Sequence, residues 1–134
     1  MTQLATLLDE RWPVLLIREG GYGCFNRRLI KGSKTRSVHG DGRAIDIGIG
    51  WSPSDEQLQA INELAWTCTA GCFDLGVCRM LWNRHAWKAD RGWRPSESMG
   101  GPHLDHMHLE LTYQAAWSHP PLEAEVRCVL GLPQ

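Results

Sequence analysis

Leucines at positions 4, 7 and 8 recur at the spacing of one helix face, so Thr2 to Trp12 reads as a short amphipathic helix that Pro13 stops. Val14 to Ile17 follows as a strand-sized apolar run. From Ala44 to Ile49 the period shortens to two. Ile45, Ile47 and Ile49 share one side of an extended chain, and Ala44, Asp46 and Gly48 the other. The same alternation returns near the C-terminus, where Met107, Leu109 and Leu111 oppose His106, His108 and Glu110. Between these segments, Ser52-Pro53-Ser54-Asp55 has the chemistry of a helix start, and Leu58, Ile61, Leu64 and Ala65 extend a helical stripe to about Thr69. Gly71 and Gly76 break the chain, Val77 to Trp82 suits another strand, and Trp87 and Trp93 flank a turn at Ala89 to Gly92. Gly100-Gly101-Pro102 forms a loop into the second alternating strand. Past Tyr113 the pattern predicts a short helix, Pro120-Pro121, a last turn and a flexible Leu132-Pro133-Gln134. This order predicts one α+β domain over residues 1–134, a small and mostly antiparallel sheet flanked by helices, with no repeat or separate binding module.

Composition narrows the class. A hydrophobic content of 43% over 134 residues fills one core, and two would be crowded. A net charge of −1 provides no global attraction to nucleic acid or to acidic membranes. No apolar run approaches the length of a membrane span, and no basic segment followed by a long apolar stretch opens the chain, so neither membrane insertion nor a secretory signal is expected. Locally the balance differs: Arg27, Arg28, Lys31, Lys34 and Arg36 occur without an acid before Asp41. That stretch reads either as a solvated loop or as a holder of anionic groups, and it lacks a groove-reading element for nucleic acid. Cys24, Cys68, Cys72, Cys78 and Cys128 are odd in number and lack Cys-x2-Cys spacing, which favours free thiols in a reducing compartment over a second, structural zinc.

The chemistry concentrates in two segments, Ser37-Val38-His39-Gly40-Asp41-Gly42-Arg43-Ala44-Ile45-Asp46 and Asp105-His106-Met107-His108-Leu109-Glu110. Two histidines and a carboxylate can supply three ligands to one zinc ion, and three protein ligands with a fourth position left for water is the catalytic pattern. If the two alternating strands are neighbours, Asp46 and His108 converge beside the small residues Ala44 and Gly48. A sheet with a merely polar outer face explains any one of these residues, but not His, Asp and His together with so few Lys, Ser or Thr.

These segments match a family. Ser-x-His-x-x-Gly-x-Ala-x-Asp is met from Ser37 to Asp46, and Asp-x-x-His-x-Glu at Asp105, His108 and Glu110. Together they resemble the zinc peptidases grouped around D-alanyl-D-alanine carboxypeptidases, the L-alanyl-D-glutamate endopeptidases of phage endolysins, and the hedgehog signalling domain. Leu81-Trp82-Asn83-Arg84 through Gly92-Trp93-Arg94-Pro95 is similar to actinobacterial and actinophage cell-wall peptidases, so the resemblance spans about residues 20–112.

The resemblance implies a hedgehog/D-Ala-D-Ala-peptidase-like fold with one catalytic zinc held by His39, Asp46 and His108. It makes Asp105 the general base, with His106 as transition-state stabiliser or alternative base. Strict alternation puts Asp105 on the wrong face, so either the chain is irregular before His106 or His106 does part of the work. Ser37 and His103 are candidate substrate-binding groups, although an ordinary loop histidine explains His103 equally well. Glu110 reads as a partner of the His108 ring or as a solvent-facing glutamate. The implied activity is hydrolysis of an amide bond in the peptidoglycan stem peptide by a monomer. The second motif leans toward an L-alanyl-D-glutamate endopeptidase, ahead of a D-alanyl-D-alanine carboxypeptidase or a D-alanyl-diaminopimelate endopeptidase. A wall-degrading enzyme without a signal fits a phage lysin made in the cytoplasm and released through holin-type holes. The alternative of another class is a non-enzymatic zinc-bearing binding domain.

Overall fold

The computed structural model describes residues 2–17, 29, 34–95 and 103–134. Helix α1 (Thr2–Arg11) buries Leu4, Ala5, Leu7 and Leu8, as the leucine spacing predicts. Strand β1 (Ala44–Gly48) and helix α2 (Asp55–Ala70) follow. The start of α2 is set by a reciprocal cap. Ser54 Oγ accepts the Gln57 amide hydrogen at 3.2 Å, and Gln57 Oε1 accepts that of Ser54 at 3.0 Å. Ile61, Leu64 and Ala65 are buried along α2, but Leu58, expected in the same stripe, is 38% exposed one turn nearer the cap.

Gly71 ends α2 and Gly76, in the left-handed region, ends a single helical turn, α3 (Cys72–Leu75). Strands β2 (Val77–Trp82), β3 (His85–Lys88) and β4 (Gly92–Pro95) form a meander, and β5 (His106–Leu111) returns between β1 and β2. Every neighbouring pair in the order β1-β5-β2-β3-β4 is antiparallel, so the α+β expectation holds. A π-helical turn (Gln114–Ser118) and α4 (Glu123–Leu130) close the chain.

The alternation in the two strands sorts exactly one aliphatic layer from one chemical layer. Ile45, Ile47, Met80, Met107 and Leu109 are all fully buried and pack in one cluster with Leu8 of α1 and Ile61 and Leu64 of α2. Burying a side chain of this kind contributes about 1.5–3 kcal/mol, so this face is the main cohesive surface of the fold. Register then places Asp46 opposite His108, and His108 opposite Leu81, on the reverse face.

Three expectations are corrected. Val14–Ile17 is not a strand: Leu16 alone forms a bridge, exchanging both backbone bonds with Gly48 at 2.9 Å, while the Val14 carbonyl accepts from the Gln57 side chain instead of extending a ladder. The turn expected around Ala89–Gly92 is present at residues 89–91, and the two strands it joins, β3 and β4, add to that expectation. The last turn is a full two-turn helix, α4, because Val126 and Leu130 reach the core. The end beyond it is tied rather than free, with Arg127 Nε donating to the Pro133 carbonyl and Gln134 Nε2 to that of Ala124. Arg27, Arg28 and Lys31 of the cationic stretch, Cys24 and Gly100-Gly101-Pro102 lie outside the described residues. Within them, no helix is long and apolar enough to cross a membrane.

Candidate metal centre

His39 reaches the sheet from a series of turns that its own motif builds. Ser37 Oγ accepts the Gly40 amide hydrogen at 3.1 Å, the Ser37 carbonyl accepts from Asp41, and the His39 carbonyl accepts from Gly42. Gly42 adopts φ +66°, a conformation that glycine enters without steric penalty, and this reverses the chain into β1. The Ser37 oxygen, expected at the substrate, is thus engaged in shaping the loop. The result is a His39 ring that is only 4% exposed, aimed at the reverse face of β1 and β5.

Three atoms meet there. His39 Nε2 lies 3.1 Å from Asp46 Oδ1 and 3.0 Å from His108 Nδ1, and His108 Nδ1 lies 2.9 Å from Asp46 Oδ1. Protons cannot satisfy this triangle. If both ring nitrogens carry hydrogen and donate to Asp46, two N–H groups face each other at 3.0 Å; if either is bare, one nitrogen-to-carboxylate edge opposes two lone pairs. A single cation satisfies all three edges at once. Two imidazole nitrogens and one carboxylate oxygen fit a transition ion of the zinc type, whose ligands lie at about 2.0–2.2 Å. His39, Asp46 and His108 therefore form a group able to hold a metal ion, the set expected from sequence.

The surroundings prepare these donors. Burial alone raises the Asp46 carboxyl pKa, but hydrogen bonds from His108 and His39, and their charges, outweigh it and hold the group well below the usual carboxylate range. For His108, burial lowers the ring pKa, yet hydrogen bonds to Asp46 and Glu110 carry it above the ordinary histidine value. Glu110 supplies the bond that orients this ring: its Oε1 accepts from His108 Nε2 at 3.2 Å, which turns Nδ1 toward Asp46 and His39. Of the two readings of Glu110, the ring partner is the one observed. Arg79 Nη1 donates to the same oxygen at 3.1 Å and, with the His108 bond, keeps Glu110 ionised against its burial.

Asp105 precedes β5, and the chain is irregular there. Its carbonyl accepts hydrogen bonds from both Ile49 and Gly50, a local kink that frees its side chain from strand alternation. The carboxylate lands beside the next residue's ring, Oδ1 being 2.9 Å from His106 Nδ1. His106 Nε2 in turn lies 3.9 Å from Asp46 Oδ1. Asp105 thus reaches the cluster through His106, and both side chains remain partly exposed. His103 joins them: its ring centroid is 4.8 Å from that of His106 and 6.0 Å from that of His108, on a backbone held at φ +45°. The Asn83 amide hydrogen bonds the His103 carbonyl and secures that conformation.

Two arginines were not evident as site residues. Arg79 steadies Glu110, and Arg43 donates from Nη1 to the Leu111 carbonyl at 3.0 Å along the same edge. Once β2 is recognised as a neighbour of β5, the position of Arg79 opposite Glu110 is the signal, but that pairing is not readable from either segment alone.

A family model described as VldE, C-terminal domain, matches residues 16–107. The matched stretch contains His39, Asp46, Asp105 and His106 and stops one residue before His108. No curated protein and no solved structure matches the chain.

Proposed function

The chain belongs to the VldE C-terminal domain family, and we propose that it is a mononuclear zinc peptidase acting on an amide bond of the bacterial peptidoglycan stem peptide. The observation that carries the reading is the triangle of His39 Nε2, Asp46 Oδ1 and His108 Nδ1, with the imidazole of His106 beside it and Asp105 behind that imidazole. Three donors leave an open position, which distinguishes a reactive centre from a closed structural one. The motif resemblance supplies the substrate class, and the Asp105–His106–Met107–His108 spacing favours the L-alanyl-D-glutamate bond.

When bound, zinc supplies an acidified water and a polarised carbonyl. The chain supplies positioning and proton traffic. His106 accepts a proton at Nε2, the nitrogen that faces Asp46, and delivers it to the departing amine. Asp105 holds the opposite nitrogen at 2.9 Å, fixing the ring's tautomer and orientation. The base role thereby belongs to the Asp105–His106 pair, with Nε2 of His106 as the atom that exchanges the proton. Glu110 and Arg79 keep His108 oriented throughout.

Mass spectrometry of purified peptidoglycan digested with and without a zinc chelator tests this. The expected result is a chelator-sensitive new amino terminus at D-glutamate. A new terminus at diaminopimelate, or released D-alanine, would move the cut to the cross-bridge or to carboxypeptidase action. No cleavage of any wall type by protein that binds one zinc would replace the enzyme with a zinc-bearing binding domain.

A further inference from the structure

A second candidate site lies on the face of the sheet away from the metal centre. Trp82 pairs with His85, and Trp87 with Trp93, so these side chains stand opposite to Leu81 and His108. Where this face meets α2, Asn62, Trp66, Trp82, Asn83, His85 and Trp93 line a cavity of about 200 Å³. That is below the roughly 300–1,000 Å³ of cavities that take drug-sized ligands and suits a single ring.

The lining has an unusual chemistry. Trp66 is 72% exposed and Trp93 37% exposed, while Trp82 is buried with its indole N–H donating to Asn62 Oδ1 at 3.2 Å. Among the described residues, the Asn62 amide nitrogen, the Asn83 side chain and the indole N–H groups of Trp66 and Trp93 have no further partner. Among the described residues that line the cavity there is no Asp, Glu, Lys or Arg, so a charged ligand finds no counter-charge in them. A purely apolar ligand would leave the amides unpaired as it dried them. A sugar ring satisfies both demands. Its C–H face carries slight positive charge and stacks on the negative face of an indole, while hydroxyl and acetamido groups exchange hydrogen bonds with amides. The backbone holds the rim ready: Asn83 and Arg84 sit at φ +46° and +61° in the β2–β3 turn, and the Asn83 amide is bonded to the His103 carbonyl.

We propose that this cleft binds a neutral, acetamido-bearing sugar ring of a polysaccharide, at a site distinct from the metal centre. The inference does not depend on the peptidase reading, and the test separates the two. Tri-N-acetylchitotriose is titrated into the full chain by calorimetry, with tryptophan fluorescence recorded in parallel. Trp66→Ala removes an exposed ring without touching the core, and Asn83→Gly removes the amide while keeping a residue at ease with positive φ. Saturable binding is expected, weakened at least tenfold by either change and unaltered in His39→Ala, which lacks a metal ligand. Absence of saturable binding, equal affinity in all variants, or loss of binding in His39→Ala would each overturn the assignment.

Discussion

Replacing Glu110 with Gln isolates the one interaction that converts His108 from an ordinary imidazole into a directed ligand. Glu110 Oε1 accepts from His108 Nε2 at 3.2 Å and from Arg79 Nη1 at 3.1 Å. Glutamine keeps the shape and one acceptor but removes the charge that both donors share. Its amide can also turn an N–H toward His108, which would favour the opposite tautomer and place hydrogen on Nδ1, inside the metal triangle. Loss of such an orienting carboxylate typically lowers metal affinity about 10- to 100-fold, equivalent to about 1.4–2.7 kcal/mol. Removing one partner of a fully buried pair costs about 3–5 kcal/mol. The Arg79 side chain is 20% exposed, so water recovers part of that loss and the stability cost falls below this range. Zinc affinity is measured by competition with a chromophoric chelator, and thermal unfolding of the metal-free variant reports the fold separately. The expected outcome is a weakened zinc complex in a folded protein. Zinc affinity within twofold of the parent chain would refute the claim that Glu110 sets the His108 tautomer.

Asp105→Asn is expected to retain one zinc per chain while slowing peptidoglycan hydrolysis by about 10²–10⁴-fold, because the neutral amide removes the charge beside His106 and can turn an N–H toward its Nδ1, favouring the opposite tautomer; an unchanged rate in the digestion assay would remove Asp105 from the mechanism. Gly76→Ala should destabilise the fold by more than about 1 kcal/mol. The residue sits at φ +67° and the added Cβ would lie 2.1 Å from the Ala115 Cβ, so urea unfolding with an unaltered midpoint would contradict the close packing of α3 against the π-helical turn. Thiol alkylation of the native protein should modify exposed Cys128 and spare Cys68, whose pKa is pushed up to about 12 by burial and by neighbouring Cys72. Because the raised value favours the neutral thiol in the folded state, Cys68 contributes stability that is complete below its ordinary value of 9.0 and is lost as pH rises toward about 12. Rapid native labelling of Cys68 at pH 8 would show that it is not buried.

Most of the site was legible because its residues lie on strands with a period of two. In His106–Leu111 that period alone separates His106, His108 and Glu110 from Met107, Leu109 and Leu111, and the structure keeps the separation. Ser54 and Gln57 were legible in the same way, since a cap is a contact between residues three apart. Asp105 was not. Its placement depends on its carbonyl accepting bonds from Ile49 and Gly50, more than fifty residues earlier, and no local pattern encodes that kink. Arg79 and the meeting of Trp66 with Trp82 and Trp93 were hidden for the same reason, as they arise only once β2 lies beside β5 and α2 lies under the hairpin.

By itself, the sequence determined which residues face a core, which carry metal-binding chemistry, and that the whole makes an α+β domain, because side-chain alternation and capping act over distances of two to four residues. The tertiary structure alone decided that His39, Asp46 and His108 share a triangle about 3 Å on a side. It also decided that the Asp105 carboxylate lies against His106 Nδ1 and that Glu110 is held between His108 and Arg79. Those relations join segments up to sixty-nine residues apart, set by strand register and by the turns of the His39 loop. Register is a property of paired strands, and a single strand read alone does not contain it.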